Sequence, residues 1–136
     1  MSNLVVFDTS VLIDQLRTGR HQARILAVNG LLRNSAVVLS ELWRGATTPA
    51  EQRVVRALER NHPVLVPTAK NWLLSGQILG KIRVSKGFGP EKLSDLHFDV
   101  LIALTARSAG ARLITSNGSD FELIAKYLHF QLEIWP

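Results

Sequence analysis

Four acidic residues adjoin apolar segments at positions where an active site could form: Asp8, Glu41, Asp99 and Asp120. Asp8 directly follows the apolar residues 4–7. Asp99 directly precedes the apolar residues 100–106, and a carboxylate buried in such surroundings needs a partner. Carboxylates gathered in one place repel one another, so a shared site is favourable only around a cation.

The chemistry that these acids could support depends on oxygen ligands alone. The chain has no cysteine, and carboxylate oxygens favour a hard cation such as Mg²⁺ or Mn²⁺. Mg²⁺ keeps several waters and shares its coordination with substrate phosphates, which suits the activation of water for attack on a phosphodiester. Taken singly, Asp8 could be a helix N-cap, and Glu41 and Asp120 could be first-turn acids. A shared metal site explains all four acids with one cause.

Other polar residues adjoin the same segments and could orient the carboxylates or a bound water. These supporting candidates are Thr9, Thr115 and Asn117, together with Asp95, one helical turn before Asp99.

The remaining polar residues are assigned ordinary structural roles. Ser10 and Ser116 are expected to serve in turns and caps. Asp14 is expected on the exposed side of the first helix, near Arg17. The four histidines have no ligand-like spacing, and His97 is expected at the surface.

The elements that must position these residues alternate between strands and helices. This pattern predicts an α/β fold, a three-layer α/β/α sandwich around a mostly parallel sheet of four to five strands. The predicted strands are residues 4–7, 36–39, 64–66, 112–115 and 132–135. Helices are predicted after Asp8, at about residues 21–32, after residue 39, from Pro49, at 68–84, at 93–109 and after Asn117. Ser119 and Glu122 suggest a capping box for the last of these helices. Residues 85–90 are predicted as a loop.

In parallel sheets, ligands bind beyond the carboxyl ends of the strands. On the predicted boundaries, Asp8 ends the first strand, Glu41 lies two residues beyond the second, and Asp120 follows the fourth after a short turn. We therefore expect these acids at one edge of the sheet, within reach of the helix that carries Asp99.

Length and charge restrict the class of protein. The 136 residues suit one domain, residues 1–136, and no apolar run approaches the length of a membrane span. The N-terminus lacks the basic segment of a signal peptide, so we expect a cytoplasmic protein without a membrane partner. Its net charge of +5 favours a polyanionic partner, and gathering four acids in one pocket would leave the other surfaces more basic still.

Four segments in register resemble the PIN-domain ribonucleases, and more closely the VapC-type toxins of toxin–antitoxin pairs. They are residues 7–13, 39–45, 99–106 and 113–121, and together they span nearly the whole chain. The resemblance implies a Mg²⁺-dependent endoribonuclease, with Mn²⁺ as an alternative ion, that cleaves RNA in the cytoplasm. It also implies a homodimer, and a small VapB-like antitoxin as protein partner.

The resemblance also assigns roles to particular residues. Asp8 and Asp99 would be the principal metal ligands, Glu41 would act directly or through water, and Asp120 would complete the site. Thr115 and Asn117 match the family's threonine–x–asparagine–x–x–aspartate block, whereas Ser10 stands where the family often has asparagine. Candidates for gripping the RNA backbone are the Arg-rich helix with Arg53, Arg56 and Arg60, and residues 81–92 around Phe88.

Other classes fit less well. A haloacid-dehalogenase-type phosphatase needs a second aspartate at position 10, where this chain has serine, and a receiver domain needs an acidic pair near the first strand. The alternative kept open is a non-catalytic PIN-like module that binds RNA or protein. Such a module gains nothing from four mutually repelling carboxylates, so stabilisation by Mg²⁺ or Mn²⁺ discriminates between the two.

Overall fold

The protein, described here from a computed structural model over residues 3–136, is built around five parallel strands. Their order across the sheet is β3-β2-β1-β4-β5. The strands are β1 (Leu4–Phe7), β2 (Leu31–Ser35), β3 (Val64–Leu65), β4 (Arg112–Thr115) and β5 (Leu132–Ile134). Each neighbouring pair is parallel, which confirms the predicted α/β class with its parallel sheet.

Seven helices connect these strands in the described part of the chain. They are α1 (Thr9–Thr18), α2 (Gln22–Ala27), α3 (Ala36–Gly45), α4 (Pro49–Asn61), α5 (Ala69–Lys86), α6 (Pro90–Ser108) and α7 (Gly118–Ala125). Local sequence explains several of their ends. Thr48 and Thr68 begin α4 and α5 with reciprocal capping boxes, and left-handed glycines follow α1 and α5.

The sheet is buried on both faces. In β1, Val6 packs into the larger core beside α3 and α6, while Val5 and Phe7 point to a second cluster with Val11 and Trp135. Successive side chains of a strand point to opposite faces, so this division follows directly from the strand period. Continuous apolar strands with cover on both sides are expected of a parallel sheet.

Helix α6 is the most deeply buried helix of the described chain. Residues 100–106 are each at most 2% exposed, so its second half is surrounded by core side chains. The preceding half, from Pro90, carries charged residues and is largely accessible. Asp99 lies at the boundary between the two halves, where it is held by a helix that cannot shift without disturbing the core.

The second strand was predicted at the wrong place. β2 spans Leu31–Ser35, whereas residues 36–39, predicted as a strand, form the first turn of α3. A short apolar run cannot distinguish a strand from a buried helix by periodicity alone. The observed strand β2 contains polar residues, so its sequence does not resemble a buried strand. Asn34 is accommodated there because it donates hydrogen bonds to the carbonyls of Leu58 and His62, at 2.7 and 3.0 Å.

Three smaller boundaries also differ from prediction. The second helix ends at Ala27 rather than near residue 32, because β2 follows it. The predicted loop at 85–90 is only residues 87–89 long. Asn117, rather than Ser119, occupies the N-cap of α7, so the predicted capping box does not form. Among residues 3–136, no helix is long and apolar enough to cross a membrane.

The strand order creates a cleft beside the central strand. β1 lies between β2 and β4, so the chain leaves it in one direction for β2 and later returns on its other side as β4. Where connections diverge in this way, the carboxyl ends of the two strands border an open crevice, the usual ligand site of such sheets. Asp8 follows β1 and Thr115 ends β4 at this point.

Candidate active site

Asp8 is fixed at the carboxyl end of β1 by hydrogen bonds on both its backbone and its side chain. Its N–H donates to the carbonyl of Ile114 at 2.8 Å, which extends the pairing of β1 with β4 by one residue. Its Oδ2 accepts from the hydroxyls of Ser10 at 2.7 Å and Thr115 at 2.8 Å. The side chain is 3% exposed, and charge-assisted bonds of this kind make such burial acceptable.

The turn after β4 holds these hydroxyls in place. The N–H of Asn117 donates to Thr115 Oγ1 at 2.9 Å, and the N–H of Ser116 donates to Ser10 Oγ at 3.0 Å. Ser10 therefore contacts Asp8 directly, although sequence reasoning gave it an ordinary turn role. The sequence signal was its position two residues after Asp8, a spacing at which a hydroxyl can reach a carboxylate.

Glu41 lies in the middle of α3, six positions after the end of β2 rather than two. Its Oε1 accepts a hydrogen bond from Thr9 Oγ1 at 2.8 Å, which ties α3 to the first turn of α1. Burial raises the pKa of Glu41, and the charge of Asp8 raises it further, while the Thr9 bond opposes both. Arg44, one turn along α3, lies 4.0 Å away and compensates only weakly.

Asp99 is the least compensated acid of the four. Its pKa is raised to about 8, first by burial and then by the charges of Asp8, Asp120 and Glu41. Only Lys92, two helical turns earlier, is a charge that opposes the rise. The influence of the three other acids places each of them within electrostatic range of Asp99.

Asp120 lies in the first turn of α7, and both of its oxygens are engaged. Oδ1 accepts from Lys92 Nζ at 2.7 Å, and Oδ2 accepts from Asn117 Nδ2 at 3.0 Å. Asn117 thus holds Asp120 with its side chain and Thr115 with its backbone. Asp95 is exposed on α6, and its charge is among the influences that raise the pKa of Glu41.

The charges of Asp8, Glu41 and Asp120 all act on Asp99, although the four acids do not form a ready-made cage for a metal ion. Within residues 3–136, no three histidine, cysteine or acidic side chains form a group ready to hold a metal ion. The oxygens described above face hydroxyl, amide and ammonium donors instead. The site is therefore acidic as a whole, while three of its four carboxylates are occupied by neighbouring residues.

Two residues assigned to the surface have partners that the sequence did not indicate. Asp14 pairs with Arg20 at 2.7 Å rather than with Arg17, since the left-handed turn at Gly19 returns the chain toward α1. His97 is half-buried: its Nε2 lies 3.1 Å from Ser75 Oγ. Its ring also packs edge-on against Trp72.

The donor set suits a hard divalent cation better than any other group. Four carboxylates and no cysteine leave only oxygen ligands, and Mg²⁺ and Mn²⁺ prefer these. The raised pKa of Asp99 marks a local excess of negative charge, which a cation would relieve. Perturbed carboxyls in a cleft at strand ends are also a physical signature of functional sites.

Comparison with known proteins places the chain in a family. The sequence matches the PIN domain family over residues 5–127. Among curated proteins, no sequence matches significantly.

Solved structures give the same fold over nearly the full chain. VapBC2 from Rickettsia felis bound to a promoter DNA fragment is 22% identical, with a TM-score of 0.71 and coverage of 98% of this chain and 99% of that one. VapBC-1 from nontypeable Haemophilus influenzae is 23% identical, with a TM-score of 0.72 and coverage of 97% and 98%. DNA-bound VapBC from Salmonella typhimurium is 25% identical, with a TM-score of 0.68 and full coverage of both chains. Because the family match spans most of the chain, this protein belongs to the PIN domain family.

Proposed function

We propose that this protein is a metal-dependent endoribonuclease and the toxin of a toxin–antitoxin pair. The observation that carries the proposal is the electrostatic state of Asp99. Burial and the charges of three other carboxylates raise its pKa to about 8, at the point where α6 enters the core. A fold gains nothing from concentrating negative charge there, so we assign the cost to the binding of a cation.

Asp8 and Asp99 are proposed as the principal holders of the ion, with Glu41 and Asp120 completing the site. When bound, Mg²⁺ or Mn²⁺ would supply an activated water and neutralise charge developing on the phosphate. The pKa of Asp99 is about 8, compared with 3.8 for an ordinary aspartate. A nearby positive charge would therefore favour the ionised form of this carboxyl group.

The surrounding residues prepare the carboxylates for this role. Ser10 and Thr115 fix the rotamer of Asp8, and Thr9 fixes that of Glu41. Side chains held in this way lose less freedom when the site fills. Asn117 connects the turn after β4 to Asp120 and thereby links the two sides of the cleft. Asp95 supports the site only through its charge.

RNA is the proposed substrate because basic residues flank the acids. The guanidinium of Arg44 lies 5.8 Å from the centre of the Phe98 ring, and the ammonium of Lys92 lies 6.0 Å from that of Phe88. Cations held on aromatic rings beside a phosphate-cleaving site are suited to a polyanionic backbone. The chain's net charge of +5 favours the same class of ligand.

The proposed partner is a small VapB-like antitoxin. Structures with the same fold include VapBC assemblies, and one structure is described as a toxin–antitoxin complex from Klebsiella pneumoniae. We extend that pairing to this chain as a proposal, together with a homodimer and a cytoplasmic location. A VapB-like partner that covers the acidic cleft would keep the nuclease silent until it is released.

A second candidate function is a PIN-like module that binds RNA or protein without cutting. One observation favours it: no three potential ligands converge within residues 3–136. Under this alternative, the donors that occupy the carboxylates would be permanent partners. Metal binding and cleavage therefore have to be tested together.

The test uses purified protein free of any partner, incubated with end-labelled total RNA in Mg²⁺, Mn²⁺ or excess EDTA. We expect discrete cleavage products that require metal. Asp99→Asn should lose activity by at least about 100-fold, because it removes a charge that acts on the reacting phosphate through the cation. The matched control is Glu91→Gln, which removes an exposed acid from the same helix and should cleave normally.

The outcomes separate the two candidates. Metal-dependent cleavage lost only in Asp99→Asn supports the nuclease. RNA binding without cleavage, and without stabilisation by Mg²⁺ or Mn²⁺, would support the non-catalytic module instead. Full activity of Asp99→Asn would contradict the role proposed for that carboxylate.

A further inference from the structure

The ammonium group of Lys92 lies against the acidic site. It lies 2.7 Å from Asp120 Oδ1, and its charge lowers the pKa of Asp99. Lys92 and Asp99 are seven residues apart on α6, so two helical turns bring them onto the same face. The lysine therefore reaches from the start of α6 to an acid on α7 while remaining close to Asp99.

The two cations beside the acids differ in how tightly they are held. Arg44 lies 4.0 Å from Glu41 and its side chain is 71% exposed. Lys92 forms a direct charge-assisted bond with Asp120, and its side chain is 41% exposed. The Phe88 ring lies against the same ammonium group at 6.0 Å. A carboxylate on one side and a ring on the other leave Lys92 more restricted than a purely solvated lysine would be.

This contact also bears on whether Asp120 is free to hold a metal ion. Asp120 accepts a hydrogen bond from Lys92 at one oxygen and from Asn117 at the other, so both oxygens are already engaged. A lysine that neutralises a carboxylate supplies the positive charge that a metal ion would otherwise supply. Two cations cannot share the same carboxylate oxygen without strong repulsion.

We propose that Lys92 is the chain's own counter-cation for the acidic site, and that a divalent ion binds at Asp120 only by displacing the Lys92 ammonium group. The inference rests on the proposed function, since it concerns the same cation site. Without metal, Lys92 stabilises the acids and keeps Asp120 engaged. With metal, Lys92 is released beside the cleft, where its charge is available to a phosphate of the substrate.

Metal affinity is the first test, measured as the rise in thermal stability on titration with Mn²⁺ and with no RNA present. Lys92→Gln should bind Mn²⁺ about threefold to tenfold more tightly than the wild type, because a competing positive charge is gone. Lys92→Arg keeps the charge and should bind like the wild type. Arg44→Gln is the matched control: it removes a looser charge beside Glu41 and should change the affinity less.

Displacement itself is measured on the wild-type protein by trace acetylation of lysines and mass spectrometry. Mn²⁺ should increase the labelling of Lys92 relative to the exposed Lys70, Lys81, Lys86 and Lys126, which serve as internal standards. This measurement does not depend on any variant folding correctly. Unchanged or reduced labelling of Lys92 in saturating Mn²⁺ would overturn the displacement.

Failure of the inference and failure of the proposed function have different signatures. If the wild type binds Mn²⁺ but Lys92→Gln binds it equally or more weakly, Lys92 is not a competitor, although the metal site stands. If neither the wild type nor any variant is stabilised by Mn²⁺ or Mg²⁺, the metal site is wrong and the inference fails with it.

Discussion

At the carboxyl end of β1, Asp8 accepts hydrogen bonds from two hydroxyl groups, whereas burial and the charges of the other three acids raise the pKa of Asp99 on α6. Asp8 follows β1, Ser10 lies in the first turn of α1 and Thr115 ends β4, so the pairing of β1 with β4 brings the three residues together. The position of Asp99 comes from the burial of the apolar helix that follows it. One side of the site is therefore organised by hydrogen bonds and the other is left electrostatically unbalanced, which is where a bound cation would have the larger effect.

The largest expected effect comes from removing the charge of Asp99, on the electrostatically unbalanced side of the site. Without metal, Asp99→Asn should raise the free energy of unfolding by about 2 kcal/mol at pH 9, because the neutral amide avoids both the burial of a charge and repulsion by the other acids. The folded pKa of about 8 exceeds the ordinary value of 3.8, so between these values the folded protein holds a proton that the unfolded chain has lost. Wild-type stability should therefore fall as pH rises from about 4 to 8.

Urea denaturation in EDTA at pH 5, 7 and 9 checks this prediction. The gain from Asp99→Asn should be smallest at pH 5 and largest at pH 9. Glu91→Gln, on the same helix, should show no such trend. A rise in the free energy of unfolding that is independent of pH would mean that the negative charge of Asp99 does not cause it.

The next effect comes from removing a hydrogen bond to Asp8, on the hydrogen-bonded side of the site. Thr115→Val keeps the shape of the side chain but removes the hydroxyl that donates to Asp8, and should lower the free energy of unfolding by about 1.5 kcal/mol. Its control is Thr105→Val, at an equally buried site where the hydroxyl bonds only the Leu101 carbonyl of its own helix. Equal losses in both variants would show that the Asp8 contact has no special weight.

A smaller effect tests the hydrogen bond that ties the first turn of α1 to α3. Thr9→Val removes the donor to Glu41 and should cost about 0.5–1.5 kcal/mol at neutral pH. Thr9→Ser keeps a hydroxyl and should restore most of the loss. Denaturation of the three proteins under one condition measures the difference, and no rescue by serine would contradict the assigned hydrogen bond.

The smallest effect comes from an acid outside the site. Asp14→Asn breaks an exposed pair with Arg20, and pairs of this kind contribute less than about 1 kcal/mol. The arginine lowers the pKa of Asp14, so its contribution should be present at neutral pH and disappear as pH falls below 3.8. Thermal unfolding at pH 7 and pH 3 measures this contribution. A change as large as that of Asp99→Asn would remove the distinction between site and surface.

The comparison also explains what the sequence could predict. The hydrogen-bonded side lies on strands flanked by turns, so residues 4–8 and 112–117 were placed correctly from local patterns. Glu41 was selected for the right sheet edge and on a helix, but that helix was expected to begin only after residue 39, because the apolar start of α3 resembles a strand. The roles of the acids themselves remain predictions.

Long-range partners escaped sequence reasoning for a different reason. Lys92 and Asp120 are 28 residues apart and meet only because α6 and α7 pack together. Asp14 was paired with Arg17 by helical spacing, whereas the turn at Gly19 favours Arg20. Spacing rules describe neighbours within one element, and these contacts form between elements or across a helix end.

The four acids lie after β1 and on α3, α6 and α7, so no single segment of the chain contains the site. A cation held by all of them would act as a reversible cross-link between segments that are distant in sequence. It should therefore slow local opening more than it alters the average structure. In hydrogen exchange, Mn²⁺ should protect the backbone amides in the first turns of α1 and α7 together, although the two helices are far apart in the sequence.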